Sequence, residues 1–477
     1  MTEEQRTAVL DEIIEAYQNG KRLSDLPDVS GTNPFDLYCE VLDVDGESKK
    51  AALATLLPYL EDQCAYGVEF DTTVSSPTCT RIGNAALHKS LPIQSLMRGC
   101  LLDDDGKVVE YLNPKDWTGN TRDGSRGQVM VELPLFYWKF EEEGTKRRVK
   151  LSLYPLAGYA QVPKRYVSAY EATVQRSANK LASVVNLTAD YRGGNNNSAN
   201  DGQSNTFLGR PATVLSRTSY RNYARNRKSG SVQWNAYTYG IHKELYWLFV
   251  VEYATLNSQA EFNAQLTSEG YRQGGLGTGV TTINGTKWSA FNGYYPFIPC
   301  GYSDSLGNGT GYVEYTMPAE YDETQPKVQV NRYRGVELPF GHIFKFADGI
   351  NVRISPTEEN GGDNRSKVFV CDDPAKFSDT GYDGYGYVGD EARAEGYGKE
   401  HIFGEEGDMI PSAVGGGSTT YMCDYHYTNI PATETLRAVL VGGHVNAGAR
   451  AGFAYAHSDY APSDAIAYFG SRLCFIP

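Results

Sequence analysis

Apolar residues recur along this chain in two rhythms. Near the start the period is helical: Val9, Leu10, Ile13, Ile14 and Tyr17 share one stripe over residues 1–20. Thr2 and Gln5 fit a capping box there, and Gly20 stands where a helix-stopping glycine belongs. The stripe suits either packing on its own domain or a self-association or docking helix at the base of an oligomer. Residues 23–34 are a turn-rich connector, residues 35–42 suit a strand, and residues 48–60 suit a second helix with Ser48 as cap and Pro58 closing or kinking it. From Gly67 the rhythm shortens to strands and turns. Residues 128–140 alternate into an aromatic strand and residues 148–156 into another. Residues 239–256 predict the strongest helix, apolar on most faces and so buried against a sheet. His242 near its start is expected to cap it or face solvent rather than bind a ligand. Phe344 and Phe346 alternate on a strand and predict core packing. Residues 181–210 read as an exposed insertion and residues 356–435 as long connections.

The end of the chain breaks the rhythm. An apolar run over 438–441 closes on Gly442-Gly443, and a second run covers 473–476. Between them lie Ala, Gly, Ser, Asp, Asn, His and Tyr with no period of 2 or 3.6. That predicts a long ordered loop, because Phe453, Tyr455, Tyr460, Tyr468 and Phe469 supply the apolar area that disordered segments lack. Tyr mixed with Ser, Gly, Asn and Asp is the composition of binding loops.

Composition narrows the classes. With 477 residues, two or three domains are expected. A net charge of −14 argues against nucleic acid as the main partner. The basic stretch 217–228 is expected to be a solvated face or a loop pinned to acidic neighbours. The eight cysteines form no CxxC pair and no zinc spacing, so buried free thiols are expected. No signal peptide and no apolar run of membrane-spanning length is visible, which predicts synthesis in a cytoplasm and no membrane insertion. Asp103 to Gly106 predicts a hairpin turn rather than a calcium loop.

GGHVNAGARAGF (442–453) followed by GSRL (470–473) resembles the closing segment of the formylglycine-generating-enzyme type of C-type lectin fold. Tyr166 to Thr173, and the strand around His342, Phe344 and Phe346, resemble two further parts of that family, where Asn and two Trp stand at the latter positions. The Ala-, Asn-, Tyr-, Ser- and Asp-rich interior is similar to the variable proteins of diversity-generating retroelements, which include phage tail-fibre proteins. Residues 67–84 resemble openings of phage tail and fibre proteins. The resemblance implies an α+β chain with three parts. These are an N-terminal helical anchoring or oligomerisation module (1–64), a β-rich connector (65–127), and a C-type-lectin-like ligand-binding domain (128–477) whose variable loop spans about 444–468.

It further implies a phage receptor-binding protein in a virion, trimeric, bound to other virion proteins through the N-terminal module and to a host-cell receptor of protein or glycan. The alternatives are a structural virion protein (head fibre or baseplate) and a bacterial surface-display protein. The expected ligand-binding residues are His444, Asn446, Arg450, Phe453, Tyr455, His457, Ser458, Asp459, Tyr460, Ser463, Asp464 and Tyr468. Core packing is the competing role for the rings, most of all for Phe453 and Phe469. Alanines in the loop fit adenine-directed mutation of Asn codons. Relatives that are enzymes use cysteines near the C-terminus or His with Tyr at iron. Here no Cys lies between Arg437 and Leu473, and His342, His426 and His444 lack grouped ligand spacing, so no catalysis is expected. No cofactor is expected either; Asp372, Asp373, Asp383 and Asp390 are candidate calcium ligands of unspecific spacing.

Overall fold

A computed structural model of the chain describes residues 61–477, with the backbone of two earlier strands, Tyr38–Leu42 and Ser48–Ala52. The expected helix over 1–20 lies outside the described residues. The second expected helix is corrected in part, because Ser48–Ala52 pairs antiparallel with Tyr38–Leu42. Alanine and lysine there favour a helix, but ladder pairing overrides that weak propensity.

The fold mixes many strands with few helices, as an α+β chain does. A five-stranded sheet runs in the order 160–162, 136–143, 146–152, 65–71, 80–83, and a six-stranded sheet in the order 234–236, 473–475, 165–168, 128–133, 98–102, 108–111. The aromatic run 128–140 is therefore two strands in two sheets, parted at Pro134, which cannot donate to a ladder. Strands from 65–127 pair with strands from 128–152 in both sheets, so the boundary expected near 128 runs through shared ladders.

The third and largest sheet carries the C-terminal segment. Its order is Gly386–Asp390, Ser366–Val370, Phe344–Ile354, Thr435–Gly442, Gly452–His457, Tyr425–Tyr427, Gly396–His401, Pro411–Val414. Five of these strands fall within 356–435, read from sequence as connections; each is six residues or fewer and partly polar, too short for a clear period.

One face of this sheet packs on the helix Tyr239–Tyr253. Thr238 caps the helix by accepting from Ile241 N, and Ala254 ends it in the left-handed conformation. Val352, Val439, Val441 and Phe453 join its side chains in one apolar cluster. His242 is neither a cap nor solvent-facing: it is fully buried, with Nε2 2.8 Å from Phe453 O and Nδ1 3.0 Å from Tyr237 Oη. The opposite sheet face carries Phe344, Phe346, Leu440 and Tyr455. The phenylalanines pack in the core as their alternation predicts.

The basic stretch 217–228 is corrected from loop to helix, Arg217–Arg225, capped by Ser216, and it is pinned to acids: Arg221 makes a two-pronged contact to Asp348 at 2.6 and 2.7 Å, and both Arg217 and Arg221 reach Asp379. The insertion 181–210 is exposed only in part. Leu181, Ala182, Val184 and Phe207 are buried, and the exposed residues concentrate over 195–199.

Candidate functional site

The segment 444–468 is not loop throughout. Gly452–His457 is an inner strand of the large sheet, antiparallel to Thr435–Gly442 and parallel to Tyr425–Tyr427. Its ladder slips: Val441 pairs with Ala456, but Gly442 pairs with Gly452. Residues 453–455 form the bulge between. As a result Phe453 and Tyr455, which alternation would put on one face, point to opposite faces.

Two buried carboxyls hold this strand. Asp424 Oδ2 accepts from Ala454 N at 2.7 Å. The backbone passes so close that a Cβ at residue 452 would lie 2.0 Å from Asp424 Oδ1, and Gly452 also has φ 154°, so only glycine fits. Glu391 Oε1 accepts from Ser458 Oγ at 2.7 Å and Thr428 Oγ1 at 3.0 Å. Among the described residues, neither carboxyl has a cation at hydrogen-bond distance. Burial raises the Asp424 pKa well above the usual range and the Glu391 pKa to about 8, with the hydrogen bonds to Glu391 opposing that rise.

The turn over 444–451 is seated by Ile283 N donating to Val445 O and Gly448 N to Thr281 O, both at 2.8 Å. The stretch after the strand is tied down by Arg217 N to Pro462 O (3.0 Å), Val214 N to Ile466 O (3.2 Å) and Tyr220 Oη to Phe469 O (2.9 Å). Beyond it, Arg472 is fully buried and donates to Ser168 O, Glu337 O and Leu338 O.

These constraints assemble a continuous belt of rings. Tyr397 meets Tyr425 at 5.1 Å between centroids, and Tyr425 meets Tyr427 at 4.6 Å. Tyr427 stacks on His457 at 4.9 Å, and His457 meets Tyr460 at 4.9 Å. Through Tyr455 and Phe344 the belt reaches His444, Tyr468 and Trp288. Tyr294, 38% exposed, closes the far end against Trp288 and Tyr468. Arg450 lies among the tyrosines and donates to Tyr427 Oη. Burial lowers His444 to about 4 and His457 to about 3, so both rings are neutral near pH 7. Burial also raises the hydroxyls of Tyr455, Tyr460 and Tyr468, which stay protonated.

Of the twelve residues expected from sequence, Asn446 and Ser463 are exposed, and His444, Arg450, Asp459, Tyr460, Asp464 and Tyr468 are half-buried at the rim. Tyr455, His457 and Ser458 are buried directly beneath that rim. Phe453 is corrected from the face to the core. It is fully buried against Phe249, Tyr246, Tyr333 and Phe340 on the helix side. Phe469 is likewise core, against Phe346 and Tyr460. Of the loop alanines, 447, 451, 454 and 456 are buried, whereas 449 and 465 are exposed. Sequence reasoning missed Tyr397, Tyr425 and Tyr427. The available signal was the alternation Tyr425-His426-Tyr427, in which His426 points inward to Ala392 O at 2.9 Å.

His342 Nδ1 lies 2.6 Å from Glu171 Oε2 and its Nε2 accepts from Phe297 N and Ile298 N, while Lys345 Nζ sits 2.9 Å from the other Glu171 oxygen. This buried network spends both ring nitrogens on the scaffold. The seven described cysteines are free and buried. Among the described residues, no three His, Cys, Asp or Glu side chains are grouped to hold a metal ion, the four candidate calcium aspartates included, and no helix is long and apolar enough to cross a membrane. No family model matches the chain, and no curated protein matches it significantly.

Proposed function

We propose that the chain is a phage receptor-binding protein with a C-type-lectin-like domain of the formylglycine-generating-enzyme type, and that it grips a host-cell surface receptor through the 444–468 face. The observation that carries this reading is the belt of Tyr and His rings, interspersed with Asn446, Ser463, Asp459 and Asp464 and held on a braced sheet. Tyrosine gives broad amphipathic contact at low entropic cost, and small polar residues adapt to a partner. The backbone beneath is fixed by Asp424, Glu391 and Arg472, so side chains at the rim can change while the scaffold stays. No cofactor or catalytic step enters this reading. A trimer held by the N-terminal module, which also joins the chain to the virion, belongs to the same proposal; light scattering of the full chain at micromolar concentration would show a monomer if that part is wrong.

The test is the last part of the gene, sequenced across a population of the carrying phage or bacterium, followed by cell adsorption with rim variants. Substitutions are expected at 444, 446, 449, 450, 459, 460, 463–465 and 468, and not at 451, 453, 454 or 456. Variation spread evenly over buried and exposed positions would refute a diversified face. An invariant segment would leave a fixed structural virion protein as the better reading.

A further inference from the structure

Arg450 stands apart from the other arginines that lie over rings. Its guanidinium carbon is 5.9 Å from the Tyr425 ring centre and 5.7 Å from that of Tyr427. Four comparable arginines are neutralised by acids: Arg98 over Tyr111 pairs with Glu132, Arg227 over Trp234 with Asp104, Arg332 over Trp117 with Asp304, and Arg365 over Tyr387 with Asp390. Two more, Arg81 and Arg472, each spend their donors on three backbone carbonyls. Arg450 has one carbonyl, Ala447 O at 3.1 Å from Nε, and the Tyr427 hydroxyl at Nη1. Among the described residues it has no carboxylate partner, and it is half-exposed beside the Tyr425–Tyr427 pair of the belt.

We propose that Arg450, braced by Tyr425 and Tyr427, is the anchor for a carboxylate on a protein partner, and that these two tyrosines are fixed members of the binding face. The inference rests on the receptor-face reading and names the chemistry it selects. A guanidinium resting against two neighbouring rings and bonded to one of their hydroxyls keeps its planar fork oriented, so less side-chain freedom is lost when a carboxylate docks. Arg450 is the single Lys or Arg between His444 and Tyr468. A segment with tyrosine and arginine but no lysine matches the enrichment and depletion seen at protein–protein interface centres. Tyr425 and Tyr427 lie on their own short strand outside the 444–468 segment, so their contribution persists whatever residues the rim carries.

The experiment pans the full chain against a random-peptide display library and, in parallel, a glycan array that includes uronic-acid oligosaccharides. Selected peptides are expected to carry Asp or Glu. Their binding should fall about 30-fold or more in Arg450→Ala, as for a charged hot spot. Tyr427→Phe, which removes only the hydroxyl brace, should weaken binding several-fold, and Arg450→Lys should restore it only in part. Thermal midpoints of all three variants check that folding is retained. Peptides lost in Asn446 or Ser463 variants but indifferent to Arg450 and to acidic residues would overturn the anchor and leave the receptor face standing. Binding confined to uronic-acid glycans would overturn the protein partner. Absence of any ligand sensitive to the 444–468 residues would overturn the anchor together with the receptor-face reading.

Discussion

Replacing Glu391 with Gln separates the ionisation of a buried acid from its hydrogen bonds. The wild-type carboxyl is 3% exposed, receives Ser458 and Thr428 on Oε1, and has no partner on Oε2 among the described residues. Burial raises its pKa from 4.5 to about 8. The folded protein therefore holds a proton that the unfolded chain releases between those values. The sign follows from linkage. Below the unfolded pKa the group has no effect on the pH dependence; as pH rises toward about 8 it destabilises the fold, at about 1.4 kcal/mol per pH unit. From pH 5 to 8 the Glu391 share is roughly 4 kcal/mol. Gln keeps an oxygen for both hydroxyls and cannot ionise.

Urea unfolding at pH 5, 6, 7 and 8, followed by tryptophan fluorescence, measures both proteins. The stability of Glu391→Gln relative to wild type should climb by roughly that 4 kcal/mol across the series. Other titrating groups cancel in the difference. These include His242, His401 and His457, which burial lowers to about 3 and which weaken the fold as pH falls below about 6.5. A difference that stays flat within about 0.5 kcal/mol would refute a buried, proton-holding Glu391.

Phe453→Ala should cost about 3–5 kcal/mol of stability in the same urea assay, because a fully buried ring leaves a cavity between helix and sheet. Gly452→Ala should lower stability by about 1–3 kcal/mol from backbone strain alone, and further from the collision with Asp424; an unchanged thermal midpoint would contradict the close approach. Asn446→Ser and Ser463→Asn, both at exposed positions, should stay within about 0.5 kcal/mol of wild type. His242→Leu should cost about 1–3 kcal/mol, since it strands Phe453 O and the Tyr237 hydroxyl in the core.

The helix over 239–253, the packed pair Phe344 and Phe346, and the acid-pinned arginines at 217 and 221 were legible because each depends on a local period or on charge. What was hidden depends on pairing between distant segments. The strand Gly452–His457 escapes periodicity because its bulge turns Phe453 and Tyr455 to opposite faces. Tyr425 and Tyr427 escape because a three-residue strand carries no pattern. His242 looked exposed at a helix start, yet that start lies under the large sheet and its imidazole meets a backbone carbonyl from 211 residues away. The rest of the expected site is divided between rim and interior for the same reason: a segment with no period reads as loop, yet it holds a strand whose ladder slips.

The strand Leu473–Phe475 lies between Trp234–Ala236 and Arg165–Ser168, pairing with both, and so sits inside the six-stranded sheet. A premature stop or frame change anywhere in 444–468 removes it and leaves two strand edges and the Trp234–Phe475 contact open. Such products cannot complete the sheet and would be cleared by proteolysis or aggregation. The last strand therefore makes folding depend on reading through the segment before it: a message broken within 444–468 loses an inner strand, whereas a substitution at the rim leaves that strand in place.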